Sequence, residues 1–561
     1  MSRLIVLSNR VKMPGNQPMA GGLAVALQEA LVGNSVVWMG WNGEIVDNDN
    51  ANDFNQSKVA SEAKSQTQIT YMTTALTTEH YQHFYCGFAN NVLWPLLHEQ
   101  PQLMNQAFGD YAGYQAVNRL FAQQLKKIIK PDDVIWVHDY HFLSVAYHCR
   151  QLGIHNRIGF FLHIPFVSLT FWQQLEQADA LIHHLAHFDV VGTQTQQGKN
   201  HCLTVFKYYL KDRFIEEQFI KGQLIKNSVI DDSILEHNHF DRYPINVLST
   251  HQYGTNTEPS GSRLLLNLAL KPQHSILIDA YPIGINVAKI QQQICHLPST
   301  LSLPSNATNR VVKQIIAVDR IDYSKGLLRR FDAYRDFLTQ YPRYQNRLQL
   351  LQIACPSRLD LPTYQRLYAE VKQRVYDVNQ QFSPIKSSGI KDCRINKNDM
   401  KGDDIKNEWQ AIQYSESVVN HESLMRAFWQ SDIGWVNSLK DGMNLVAKEY
   451  IAAQNPDDPG VLLLSHYAGA AEQMQDAVII DPKQPTSVIK GLKTALTMPL
   501  EERKSRHRAL LQGLQQEDLY AWQQRFLDDL HLNDLYDNKQ FDNKKGPIDT
   551  PPTDVIQMSD S

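Results

Sequence analysis

Short, largely apolar runs recur along the chain: Leu4–Leu7, Val134–Val137, Ile158–Leu162, Gln314–Val318, Leu348–Ile353, Ile433–Val436, Val461–Leu464 and Ala477–Ile480. Each is followed by a polar or glycine-containing turn and then by a stretch with helical spacing. Runs that are apolar throughout, rather than alternating, mark strands covered on both faces. Strands that alternate with helices predict βαβ units and parallel sheets. Ligands of such sheets sit beyond the carboxyl ends of the strands. The residues just after each run are therefore where chemistry is expected.

The 561 residues exceed what one core holds. The pattern predicts an α/β protein of two Rossmann-like domains facing across a cleft, 1–283 and 284–505, with the break at Tyr281-Pro282-Ile283-Gly284. Residues 506–536 are expected to be helices that cross back to the first domain. Residues 537–561, rich in Asp, Lys, Pro and Thr, read as a disordered tail. The polar, poorly patterned stretches 211–274 and 384–407 read as insertions.

Composition narrows the class. Hydrophobic residues at 43% and charged ones at 20% fit an ordinary globular protein. A formal net charge of -4 offers no excess for nucleic acid or an anionic membrane, and neither partner is expected. The apolar run at the N-terminus is too short for a signal peptide, and no 18-residue apolar stretch exists, so a cytoplasmic protein is expected. The six cysteines form no CxxC pair and no zinc-type spacing with histidine, which points to reduced thiols and no metal.

The strand ends carry the candidate chemistry. The first run leads to Ser8-Asn9-Arg10 and then to Ala20-Gly21-Gly22-Leu23 at a helix start. Glycines there let backbone approach a ligand, the helix start offers N–H groups to an anion, and Arg10 suits a phosphate. The second run enters His138-Asp139-Tyr140-His141, where Asp139 suits sugar hydroxyls or a helix cap. The third ends at His163, either a satisfied core residue or a partner for a sugar hydroxyl. In Val318-Asp319-Arg320-Ile321-Asp322-Tyr323-Ser324-Lys325-Gly326, the cations Arg320 and Lys325 suit a diphosphate leaving group, or stand as surface charges. Asp441-Gly442-Met443-Asn444-Leu445-Val446-Ala447-Lys448-Glu449-Tyr450 reads as a turn and a helix start. N–H groups near Leu445 and Val446 can meet a phosphate. Glu449 can hold two ribose hydroxyls, or complement the helix dipole.

These stretches, with Gly40-Trp41, Asn91-Val92-Leu93-Trp94-Pro95, Phe160–Phe166 and Tyr281–Gly284, resemble the trehalose-6-phosphate synthases in order, from residue 3 to about 530. That family consists of retaining glucosyltransferases of the two-Rossmann-domain, GT-B type. The resemblance implies transfer of glucose from UDP-glucose to the anomeric hydroxyl of glucose 6-phosphate, giving α,α-trehalose 6-phosphate and UDP, with no cofactor and no metal. It implies that Arg10, Tyr85, Trp94, Asp139 and Arg358 hold glucose 6-phosphate, Arg10 and Arg358 on its phosphate. Gly22, His163, Arg320, Lys325, Asp441, Leu445, Val446, Ala447, Lys448 and Glu449 would hold the donor. Trp94 and Ile164 would shape anomer selectivity, and Asp139, His163, Arg320, Lys325 and Asp441 would carry the chemistry. A homo-oligomer, dimer or tetramer, is implied by family analogy.

The chain departs from the family at Val167 (usually proline), Thr193 (usually aromatic) and Lys440 (usually arginine), and matches poorly around Val419-Asn420-His421. Lysine does not replace arginine at a bidentate contact. Two alternatives stand beside the main reading: transfer to another phosphorylated acceptor such as glycerol 3-phosphate, and a non-catalytic sugar-phosphate sensor. A sensor would be favoured by loss of Arg320, Lys325 or Glu449, and all three are present. A dehydrogenase would want GxGxxG after the first strand, which is missing. A fused phosphatase would need a DxDxT-type nucleophile after a strand, and none is found.

Overall fold

A computed structural model describes residues 3–11, 36–47, 58–64, 67–219, 262–295, 313–382 and 409–542. Among these, ten strands form the first sheet: β1 (Leu4–Arg10), β2 (Val36–Val46), β3 (Lys58–Lys64), β4 (Thr67–Thr77), β5 (Val134–His138), β6 (Ile158–Phe161), β7 (Val190–Thr193), β8 (Phe214–Phe219), β9 (Ser262–Leu268) and β10 (Lys271–Ala280). Their order is β3-β4-β2-β1-β5-β6-β7-β10-β9-β8. The second sheet holds β11 (Lys313–Arg320), β12 (Leu348–Cys355), β13 (Ile412–Ser415), β14 (Ile433–Val436), β15 (Val461–Ser465) and β16 (Val478–Ile480), in the order β13-β12-β11-β14-β15-β16. All neighbours in the second sheet run parallel. All eight predicted runs are strands and the α/β class is as expected; the second sheet is wholly parallel, while the first is parallel from β4 to β10 with antiparallel strands at both edges.

The apolar runs are apolar throughout because each strand feeds two cores. In β1, Ile5 and Leu7 pack into one cluster while Leu4 and Val6 pack into another. In β5, Ile135 and Val137 divide from Val134 and Trp136 in the same way. In β11, Ile315 and Ala317 divide from Ile316. The period of two sets the face, and both faces are dry.

The stretch 211–274 is not uniformly irregular: its ends form β8, β9 and the start of β10, an antiparallel extension of the first sheet. Leu264, Leu266 and Leu268 of β9 turn inward to the main cluster, while Arg263 and Asn267 interrupt the apolar run and hide the strand. Residues 220–261 and the second stretch, 384–407, lie outside the described residues.

The expected boundary at 505/506 falls inside the helix Leu500–Gln516. That helix stays with the second half, where the His507 ring bonds the Ile451 carbonyl at 3.1 Å. The crossing comes at Glu517-Asp518, beside the linker, where the Leu519 N–H meets the Ile285 carbonyl at 3.3 Å. The next helix, Leu519–Asp542, then covers the first sheet. Phe526 lies over Trp136 at 5.0 Å, Trp522 over Phe161 at 5.1 Å, and the Tyr281 hydroxyl donates to Asp529 at 2.8 Å. Gly159 and Gly192 make this possible, since a Cβ on either would sit within 2.8 Å of the Phe526 ring. The helix continues past residue 537, where a tail was expected, to Asp542; residues 543–561 lie outside the description. No described helix is long and apolar enough to cross a membrane.

Candidate active site

Strands β5, β6, β11 and β12 and the loop after β14 present their carboxyl ends to a common space between the sheets, as parallel sheets require. On the first-sheet side, the helix Tyr81–Leu93 closes its turns with i→i+5 hydrogen bonds. It presents Tyr81 and Tyr85, stacked at 5.5 Å, against Trp41 of β2. Arg10, exposed at the end of β1, lays its guanidinium 4.6 Å above the Trp41 ring.

Trp94, buried at the end of the same helical run, is the wall where the two halves meet. The Arg358 guanidinium stacks 3.7 Å from its ring centre and that of Arg320 lies 5.8 Å away. A cation over an indole face is held by the ring quadrupole, most strongly when desolvated. Arg358 Nη1 also donates to Asp322 at 3.1 Å and to the Tyr364 hydroxyl at 2.7 Å, and Nη2 donates to the Tyr140 hydroxyl at 3.2 Å. Tyr140 passes its own proton to Asn90 at 2.8 Å, and Asn90 donates to the Tyr85 carbonyl. Burial opposes the Asp322 charge, yet Arg358 foremost holds that carboxyl down at about 2.

Lys325 donates to Asp441 at 2.5 Å, and the same carboxylate oxygen takes Ser438 and Asn444 at 3.0 Å. Burial works against the Asp441 charge, but Lys325 and Asn444 keep its carboxyl below the usual range. His98 stacks on Trp94 at 4.1 Å, and burial lowers its pKa to about 4. Asp139 follows β5 with φ of 75° and accepts the His163 N–H at 3.3 Å. Burial lifts its carboxyl to about 6, against the pull of two backbone N–H groups and of Arg358 and Arg320. The His163 ring pairs with His138 at 3.0 Å, and burial lowers its pKa to about 3, so it is neutral at pH 7. Ile164 is buried beside it. A Cβ on Gly442 would fall 2.0 Å from the His163 carbonyl, so the Asp441 loop touches the end of β6 only because residue 442 is glycine.

The helix Leu445–Ala452 starts at Asn444, whose side chain accepts the Ala447 N–H at 3.1 Å. That N–H is thereby taken by the helix cap. Lys448 is a correction. Its ammonium is buried and donates to the Ile283 carbonyl and to Gln473, each at 2.7 Å, so it braces the linker rather than reaching toward a donor. A helix turns through about 100° per residue, so Lys448 and its neighbours cannot share one face. Leu445, Val446 and Glu449 remain partly exposed. Gly22 lies outside the described residues. Of the departures, Val167 and Thr193 are buried, and Lys440 pairs with Glu99 at 2.6 Å, joining the halves.

Sequence reasoning assigned no separate role to Asp322, Tyr140, Asn90, Tyr364 or His98. Asp322 and Tyr140 sat inside quoted motifs, Tyr140 next to Asp139 and Asp322 between Arg320 and Lys325. Tyr364 and Asn90 carried no signal, because they act through Arg358 and Tyr140, two residues that lie 218 positions apart and meet only in the fold.

Residues 8–394 and 394–532 match the model of glycosyltransferase family 20. The trehalose-6-phosphate synthase of Sodalis glossinidius (strain morsitans) is 34% identical over 536 residues, covering 94% of this chain and 96% of that protein. A solved UDP-forming α,α-trehalose-phosphate synthase from Burkholderia xenovorans, in complex with glucose-6-phosphate, is 30% identical, covers 95% of this chain and 100% of its own, and superposes with a TM-score of 0.76. An E. coli trehalose-6-phosphate structure bound with UDP-2-fluoro glucose is 31% identical, with coverage of 94% and 99% and a TM-score of 0.73. With the motifs in order, the two opposed sheets and near-complete coverage in both directions, the chain belongs to glycosyltransferase family 20, among the trehalose-6-phosphate synthases.

Proposed function

We propose that this chain transfers glucose from UDP-glucose to the anomeric hydroxyl of glucose 6-phosphate, giving α,α-trehalose 6-phosphate and UDP. The observation that carries the reading is the gathering of Arg320, Arg358, Lys325 and Asp139 around Trp94 and the Asp441 loop, from both sheets. Two phosphorylated substrates need several cations, and this site gathers them near one aromatic wall.

In this reading Arg320 and Lys325 stabilise the charge that grows on the leaving diphosphate. Lys325 spends one donor on Asp441 and keeps two. Leu445 and Val446 meet the donor phosphates, Glu449 the ribose, and His163, as a neutral imidazole, a glucose hydroxyl. Arg10 and Arg358 hold the acceptor phosphate, with Tyr85 and Trp94 along its ring and Asp139 orienting its hydroxyls. Attack and departure take place on one face of the sugar, the leaving phosphate oxygen takes the acceptor proton, and the anomeric configuration is retained. The family analogy extends to a cytoplasmic homo-oligomer.

The test is UDP release from UDP-glucose with and without glucose 6-phosphate, with NMR of the product. Release that needs glucose 6-phosphate and yields a 1,1-linked α,α product is expected, falling at least ~100-fold in Arg320→Ala or Lys325→Ala. Release with glycerol 3-phosphate alone would move the acceptor assignment, and no release with any acceptor would leave a sensor.

A further inference from the structure

One buried carboxylate bonds on both sides, to the turn that carries Lys325 and to Arg358. Asp322 is wholly inaccessible to solvent just beyond β11. Its Oδ1 accepts the Ser324 N–H at 3.0 Å and so starts the turn Tyr323–Lys325 that carries Lys325. Its Oδ2 accepts from Arg358 Nη1 at 3.1 Å and from the Tyr364 hydroxyl at 3.0 Å. The Tyr364 oxygen in turn accepts from the same Nη1 at 2.7 Å, which closes a three-membered ring of hydrogen bonds. With Nη2 on Tyr140 and one face against Trp94, three of the five guanidinium N–H groups are taken and the plane is fixed. Two N–H groups remain for a ligand. Arg358 sits at φ of 51°, a conformation a side-chain-bearing residue rarely holds without such support.

We propose that Asp322 is a positioning residue coupling the two substrate sites: one oxygen sets the turn bearing the donor cation Lys325, and the other sets the plane of the acceptor cation Arg358. The assignment of those cations to donor and acceptor rests on the function proposed above. Tyr364 belongs to the acceptor half alone.

The two oxygens are separable by substitution. Asp322→Asn keeps a carbonyl for Ser324 but sets an amide NH2 against two donors, so it injures the Arg358 half. Asp322→Ala removes both halves. Tyr364→Phe leaves the ion pair and takes away one support. Calorimetric titration of the full chain with UDP and, separately, with glucose 6-phosphate reads the halves, and thermal melts report folding. Asp322→Asn is expected to weaken glucose 6-phosphate at least ~10-fold with UDP affinity unchanged. Asp322→Ala is expected to weaken both ligands, and Tyr364→Phe the sugar phosphate alone, at an unaltered melting temperature. Wild-type glucose 6-phosphate affinity in Tyr364→Phe and Asp322→Asn would overturn the coupling, as would equal losses for both ligands that track the melting temperature. Should Asp322→Ala fail to fold, Asp322→Glu, which keeps the charge and shifts both oxygens, replaces it: a loss for both ligands is expected, and unchanged UDP affinity would overturn the coupling. A wild type that binds both ligands but makes no disaccharide phosphate would sink the proposed reaction and leave the coupling standing. A wild type that fails to bind glucose 6-phosphate would overturn both.

Discussion

Asp139, Arg358 and Asn444 each hold positive φ, at 75°, 51° and 84°, and all three stand in the cleft. Backbone in this region is strained for residues other than glycine, and such strain collects where a side chain must be aimed rather than merely accommodated. For Asp139 the aim sends the carboxylate toward Arg358 and Arg320 in a site dry enough to raise its pKa to about 6. The charged form is the one that accepts hydroxyl protons, so kcat/KM for the acceptor should fall as pH drops through about 6. Asp139→Asn should abolish that limb and lose ~10 to 100-fold at pH 7. The same limb persisting in the variant would show that another group titrates. At this scale the sequence revealed residue types at strand ends but not directions. Asp139, Arg320 and Lys325 were legible because strand ends face ligands. Lys448 was misjudged because nothing in a linear motif says that its ammonium turns toward Ile283.

The helix Leu445–Ala452 is the element whose two faces do different work. One face sets Glu449 beside His421 at 4.0 Å, and the other sends Lys448 into the linker, where it bonds Ile283 and Gln473 while Gln473 reaches Glu517. Burial depresses the Lys448 pKa to about 8 from 10.5. Above pH 8 the unfolded chain keeps a proton that the folded chain releases, so this group adds stability as pH rises from about 8. Denaturant titrations at pH 7.5 and 9 should show that increment in the wild type. It should vanish in Lys448→Met, which should also lose ~1 to 3 kcal/mol from the orphaned Ile283 carbonyl. An identical increment in both proteins would exclude Lys448 as its source. Elements were legible when both faces were apolar, as in β1, β5 and β11. The threonine-rich β4 and β9 were not, since buried polar residues, Thr73, Thr74 and Thr77 in the one and Ser262 and Arg263 in the other, blur strands that tertiary context nevertheless fixes.

Across the whole molecule, buried histidines set the acid limit. Burial lowers His98 and His187 to about 4 and His163, His184 and His274 to about 3. An unfolded histidine takes up its proton near 6.5, so each of these groups costs stability as pH falls through 6.5. Asp139 and Asp529, both raised to about 6, act in the opposite sense but are fewer. The melting temperature should therefore fall from pH 7 to pH 5, and a constant or rising value would contradict the neutral assignment of these rings. The two-sheet plan was legible from the order of strands and helices. The return of the last helix to the first domain was expected; what sequence order hides is its seat, with Phe526 and Trp522 on Trp136, Phe161, Gly159 and Gly192. During synthesis, the strands that emerge first leave the ribosome with one face bare and wait for the final segment to cover it. A premature stop shortly before residue 519 would thus leave the second sheet's own helices in place and strike the half of the protein made first, exposing a stripe of tryptophan and phenylalanine to the chaperones and proteases that read such surfaces.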